Sequence, residues 1–212
     1  MVSLTMNLFT PAFTWGVPVT WIELVGDVTA LLSVWWAARQ VIWNWPISLV
    51  SAACLAAFFF HIDLDANAWL QGVFFALGLW GWWEWSRRDR RPPEDDRPVR
   101  RTTSREWLGL AVGGLALWGV AWWFFSEVAV SAQPVWDSLT FALSLVATYG
   151  QAKKLVESWF VWIVIDCISV PLIWSQDGRA TAVLFAIFGV ICVFGLRDWT
   201  RDLRGEPALV AA

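Results

Sequence analysis

The chain has 212 residues, of which 58% are hydrophobic and 16% charged, with a formal net charge of −3 and a mean hydropathy of +0.54. Soluble domains carry roughly 25% charged and 45–50% apolar residues, and one of this length still exposes about 30% of the surface of its unfolded chain. The composition therefore argues against a water-soluble enzyme. With no overall basic character it also argues against nucleic-acid binding, and it points to an integral membrane protein.

The N-terminal segment, residues 1–18, is weakly apolar and interrupted by Pro11, Gly16 and Pro18, which places it at the membrane interface. The first basic residue is Arg39, so no basic region announces a cleaved signal peptide. A spanning helix needs about 20 mostly apolar residues. Seven such runs follow, at 19–38, 42–60, 66–85, 107–125, 135–152, 157–174 and 180–198. Between the third and fourth lies the one long polar stretch, SRRDRRPPEDDRPVRRTTSR at 86–105, whose prolines and mixed charges predict a solvated linker. Fourteen of the 15 basic residues fall on one side of this layout and only Arg179 on the other. The positive-inside rule then puts the N-terminus outside and the C-terminus in the cytoplasm.

Residues 21–88 can be laid on 135–202 at a constant offset of 114 without a gap. Trp45 then falls on Trp159, Asp63 on Asp177, Phe74 on Phe188, Gly81 on Gly195, Trp85 on Trp199 and Arg87 on Arg201. Each unit is three helices, an odd number, so two units can share an orientation only if one helix intervenes. The expectation is an all-α membrane protein with seven transmembrane helices as 3+1+3 parallel repeats. The first repeat spans 19–88, a charged linker 89–106, an inverter helix 107–126, the second repeat 135–202 and a tail 203–212. Parallel repeats are a transporter architecture, with the substrate site near mid-membrane between them.

Several spans carry polar stripes. Asp137, Thr140, Ser144, Thr148 and Gln151 are spaced 3, 4, 4 and 3 and fall on one helical face. Asn44, Ser48 and Ser51 share a face, as do Asn67, Gln71 and Phe74, and Trp159, Trp162 and Asp166 stand at i, i+3 and i+7. Glu23 and Asp27 share a face of the first helix. A carboxylate at mid-helix costs roughly 2.5–3.5 kcal/mol to insert, so Asp166 should face a cavity or a partner. One stripe alone reads as interhelical hydrogen bonding; stripes on four helices point to a shared polar cavity. Asp63 and Asp177 read as N-caps of the third and seventh helices. Of the 20 tryptophans, those at helix ends, Trp82, Trp83, Trp85 and Trp199, read as interfacial anchors. Trp45, Trp159 and Trp162, one turn in beside the polar stripes, are placed either to pack helices or to stack on a flat ring. Cys54, Cys167 and Cys192 lie inside apolar runs without CxxC spacing and read as buried apolar residues, not as a disulfide or metal framework. A single histidine and the absence of HExxH, GxSxG or P-loop patterns leave no catalytic constellation, no metal site and no cofactor.

The stretches WIELVGDVTALLSVW, FFFHIDLDANAWLQGVFFALGLWGWWEWSRR and VWDSLTFALSLVATYGQAKKLVESWFVWIVIDCISVPL resemble the PnuC family of vitamin transporters over residues 20–200. The resemblance implies a fold like that of the SWEET sugar transporters and facilitated uptake without ATP or an ion gradient. It also implies trapping of the substrate by a cytoplasmic kinase, and a homotrimer in the bacterial inner membrane. Nicotinamide riboside members tend to carry Asn where this chain has Ser51 and Asp166. WNWP and VIDCISVPL are closer to the riboflavin branch, often called RibM, and FFFHIDLDANAWLQ to the nicotinamide riboside branch. The expected substrate is thus a ring-bearing vitamin precursor, nicotinamide riboside first, with riboflavin or thiamine as alternatives; an intramembrane enzyme using Asp166 is the distant one. The expected site is Asn44, Trp45, Ser51, Gln71, Asp137, Trp159, Trp162 and Asp166. The tryptophans would stack on the base, and Asn44, Ser51, Gln71 and Asp166 would hydrogen-bond it and its hydroxyls.

Overall fold

The computed structural model describes residues 8–15, 17–88 and 99–205. Seven α-helices run through them: α1 Trp21–Ala38, α2 Asn44–His61, α3 Asp65–Arg88, α4 Ser104–Glu127, α5 Pro134–Ala152, α6 Glu157–Ser175 and α7 Arg179–Leu203. Each lies within a few residues of an apolar run in the sequence, because burial of backbone groups in lipid leaves the helix as the only open-ended spanning structure. Five of the seven are long and apolar enough by themselves to cross a membrane. The other two, α3 and α5, are two of the helices whose stripes of Asn67, Gln71, Ser144, Thr148 and Gln151 lower their hydropathy. Residues before α1 form an antiparallel hairpin of β1 Pro11–Trp15 and β2 Val17–Thr20, in a stretch to which the sequence assigns no element. Thr20 at its end starts α1 through a reciprocal capping box with Glu23; Thr103 and Glu106 do the same for α4.

Two tight turns at one end of the bundle, Arg39–Trp43 and Lys153–Val156, each pass through a left-handed residue, Gln40 (φ 56°) and Lys154 (φ 54°). At the other end the turns after α2 and α6 pass through Asp63 (φ 58°) and Asp177 (φ 62°). These aspartates were expected as N-caps, but the N-cap of α7 is Gly178. The aspartates instead supply the left-handed turn residue that ends the preceding helix, a conformation that Asp and Asn tolerate better than most side chains.

The packing pattern repeats. α1 packs on α2 and α2 on α3; α5 packs on α6 and α6 on α7; α1 meets α7 and α3 meets α5. α4 packs on α5 and leaves Leu108, Val112, Leu115 and Val120 exposed, as a helix facing lipid on most sides should. At the end that carries most of the basic residues, a tryptophan layer joins the triplets. The Trp85 indole N–H donates to the carbonyl of Ala152 (3.2 Å), and that of Trp199 donates to the carbonyl of Ala38 (3.1 Å). Trp85 corresponds to Trp199 and Ala38 to Ala152 at the offset of 114, so each triplet hands its tryptophan to the same backbone point of the other. Trp45 lies against Gly81 and Trp159 against Gly195: a Cβ on either glycine would sit 2.3 Å or 2.8 Å from ring carbons. Glycine is required there because no side chain fits between the ring and the helix. Trp85, Trp159 and Trp199 are at most 2% exposed, so Trp85 and Trp199, read from the sequence as interfacial anchors, are instead buried between the triplets, where each indole N–H finds a backbone carbonyl.

Candidate functional site

Beside this layer, towards mid-bundle, six helices enclose a cavity of about 350 Å³. That is within the roughly 300–1,000 Å³ of small-molecule sites. α1, α2, α3, α5, α6 and α7 line it; α4 does not. The lining repeats with the helices. Ala30 and Ser144, Val34 and Thr148, Ser48 and Trp162, Ser51 and Ile165, Ala52 and Asp166, Gln71 and Phe185, Phe74 and Phe188, Gly78 and Cys192 all face it, and each pair is 114 residues apart. Ser33, Asn44, Trp45, Leu55 and Gln151 complete the wall without a lining counterpart.

Six of the eight residues expected from the sequence meet here: Asn44, Trp45, Ser51, Gln71, Trp162 and Asp166. Trp159 and Asp137 do not. Trp159 is fully buried in the tryptophan layer, edge-on to Trp199 at 5.4 Å and pressed on Gly195, so its faces are occupied. Asp137 is in the first turn of α5, about two turns before Ser144, and accepts a hydrogen bond from Ser131 in the α4–α5 connection. It shares the stripe of Ser144 and Thr148, but a stripe runs the length of a helix and the cavity only part of it. Phe185, Phe188 and Cys192 on α7 join the site without having been expected there; their i, i+3, i+7 spacing carried the signal.

The walls offer acceptors. Ser48 donates its hydroxyl proton to the carbonyl of Trp45 (2.7 Å), Ser51 to Gly26 (2.8 Å), Ser144 to Thr140 (2.8 Å) and Thr148 to Ser144 (2.7 Å). Asn44 spends an amide N–H on the carbonyl of Val41 (2.7 Å). With those protons committed, the hydroxyl oxygens face a ligand as acceptors. Asp166, 5% exposed, adds a carboxylate whose Oδ2 has no hydrogen-bond partner. Its polar neighbour is the Cys192 thiol. Trp162, Phe74 and Phe188 provide aromatic surface. The arrangement suits a compact ligand with a flat ring and several O–H or N–H donors, and the unpartnered carboxylate oxygen favours a donor or a positive charge on it. Among the described residues no group of three or more His, Cys, Asp or Glu side chains is placed to hold a metal.

Residues 20–201 match the family model described as nicotinamide mononucleotide transporter. The chain is 30% identical to the riboflavin/roseoflavin transporter RibM of Streptomyces davaonensis, over 90% of this chain and 93% of that protein. It is also 30% identical to the nicotinamide riboside transporter PnuC of Escherichia coli, over 92% of each. A crystal structure of the vitamin B3 transporter PnuC superposes with a TM-score of 0.71 at 19% identity, covering 88% of this chain and 83% of that one. At that identity the superposition establishes the shared fold.

Proposed function

The chain belongs to the PnuC family of membrane transporters, and we propose that its substrate is nicotinamide riboside, bound in the cavity between the helix triplets. The observation that carries this reading is the buried Asp166 carboxylate, whose Oδ2 has no hydrogen-bond partner, in a polar, aromatic-lined cavity. Nicotinamide riboside combines a cationic pyridinium ring with sugar hydroxyls, so it can neutralise Asp166, donate to Ser51 and Asn44, and stack on Trp162. Gln71 would hold the carboxamide or the sugar. Burying an uncompensated charge costs several kcal/mol, which bound pyridinium would offset.

Riboflavin is the second reading, favoured by an identity to RibM as high as that to the Escherichia coli protein. Its ring is uncharged, so Asp166 would only accept hydrogen bonds from the ribityl chain. Direct binding of labelled nicotinamide riboside, riboflavin and thiamine to purified protein separates the two. Nicotinamide riboside should bind most tightly, and Asp166→Asn should weaken it by at least ~10-fold, the worth of about 1.4 kcal/mol. Riboflavin binding more tightly, with little response to Asp166→Asn, overturns the first reading.

The surrounding machinery is part of the same proposal. The triplets α1–α3 and α5–α7 act as parallel repeats joined by α4 in a SWEET-like 3+1+3 arrangement, and rocking of one against the other alternates access to the cavity. The basic end lies in the cytoplasm of a bacterial inner membrane, where 14 of 15 Lys and Arg residues would satisfy the positive-inside rule. Transport is facilitated diffusion made effectively one-way by a cytoplasmic kinase that phosphorylates the substrate, and the protein works as a homotrimer.

A further inference from the structure

We infer that Gln151 is a positioning residue for substrate recognition: it fixes the plane of Trp162 and so decides which ring the cavity accepts. This rests on the reading of the cavity as the substrate site. Gln151 stands at the end of α5 and Trp162 in the second turn of α6, and both line the cavity. The Trp162 indole Nε1 donates to Gln151 Oε1 at 3.1 Å. An indole on an apolar helix face can turn about two torsions; a hydrogen bond to its one polar atom selects a single orientation. Gln151 therefore aligns the stacking surface of the cavity.

The scaffold around the pair holds it still. The α5–α6 turn between the two residues is clamped by the segment that enters α4. Arg100 donates its backbone N–H to the carbonyl of Lys154 (3.0 Å) and accepts from the N–H of Val156 (3.1 Å). Thr102 donates both its N–H (3.0 Å) and its hydroxyl (2.7 Å) to Glu157. Arg100 is itself held by a two-pronged ion pair with Glu106, at 2.8 and 2.6 Å, which keeps its guanidinium protonated above its usual range. Val99 before it is buried in the core beside the tryptophan layer. The counterpart positions of Gln151 and Trp162 in the first triplet are Ala37 and Ser48, so this hydrogen bond belongs to one triplet alone.

The test is a double-mutant cycle read by binding of nicotinamide riboside and riboflavin to purified full-length protein. Gln151→Met removes the acceptor at similar volume; Gln151→Glu keeps an acceptor for the indole; Trp162→Phe keeps a ring but removes the indole N–H. Gln151→Met should weaken binding of the preferred ligand about 10-fold, the scale of one net hydrogen bond. Gln151→Glu should recover most of that loss. In the Trp162→Phe background, Gln151→Met should cost less than about 3-fold, because the bond it breaks is already gone. Equal losses in both backgrounds, or wild-type affinity in Gln151→Met, overturn the inference. If Gln151→Met fails to fold, Gln151→Glu decides: near-normal binding supports the inference, and a 10-fold loss overturns it. Trp162→Ala and Asp166→Ala are the controls on the site. If both bind normally, the cavity reading has failed; if they lose binding and Gln151→Met does not, only the role of Gln151 has.

Discussion

The tryptophan layer and the cavity beside it are built by the same six helices, yet they treat the internal correspondence in opposite ways. In the layer, residues 114 apart are identical: Trp45 and Trp159, Trp85 and Trp199, Gly81 and Gly195, Ala38 and Ala152. In the cavity, of the eight matched pairs that line it only Phe74 and Phe188 are identical; Ala52 corresponds to Asp166, Ser51 to Ile165 and Gln71 to Phe185. Packing two equivalent triplets against each other needs the same shape twice, so the layer keeps its residues in pairs. A small ligand has two different ends, and a wall that recognises them must differ from side to side. Scaffold and specificity thus lie about one helical turn apart, with Trp45 shared between them.

The comparison is broken most directly at the layer. Trp85→Ala and Trp199→Ala should each cost ~4 kcal/mol, the range for truncating a buried Trp, and the two melting temperatures in detergent should fall together. A large loss from one and none from the other means that the layer is not shared equally. Next, Gly81→Ala and Gly195→Ala should destabilise by about 1–3 kcal/mol through overpacking. Gly81→Ala should be the worse, because its added carbon meets the Trp45 ring at 2.3 Å against 2.8 Å for its counterpart. Chemical or thermal denaturation of the pair checks that order.

At the cavity the expected signature reverses. Asp166→Ala and Trp162→Ala should each lower substrate affinity by roughly 10-fold or more, about 1.4 kcal/mol, while leaving folding intact. The aspartate variant should melt no lower than the parent, since it removes a buried carboxylate with an unpartnered oxygen. A fall in stability without loss of binding reassigns Asp166 to the scaffold. The smallest effect concerns the seams between triplets. α3 and α5 are latched by the Lys153–Glu84 ion pair (3.0 Å) and by Trp80 stacked on Tyr149 (5.5 Å, 11°). At the matching seam Gln40 bonds Asp202, and Arg39 lies over Trp35 of its own helix (4.5 Å). Lys153→Met should cost about 0.5–1 kcal/mol, lessened at high salt, and a stability loss as large as that of the tryptophan variants breaks the proposed ranking.

Much of this was legible in the residues. Seven apolar runs became seven helices, and identical residues at a fixed offset became equivalent contacts, because both depend on local composition and on order along the chain. Asp166 was legible for the same reason: a carboxylate at mid-span must find a cavity or a partner wherever it lies. Trp159 and Trp162 show where legibility ended. Both follow the same spacing rule on α6, yet one is sealed between Trp199 and Gly195 and the other faces the cavity. Nothing in a helical period says at what depth a cavity begins, and the stripe of α5 likewise joined Asp137 to Ser144 without marking the cavity's limit.

By itself the sequence determined the membrane environment, the helix count and the polar stripes, since these follow from hydropathy, from backbone hydrogen bonding in lipid and from a 3.6-residue repeat. Only the tertiary structure decided which members of each stripe meet. It drew Gln71, Trp162, Asp166 and Phe188 from three helices to one space, paired Gln151 with Trp162, and turned Asp63 and Asp177 from expected caps into turn residues. Those outcomes depend on the height and rotation at which helices dock, which packing between distant residues sets and local sequence does not.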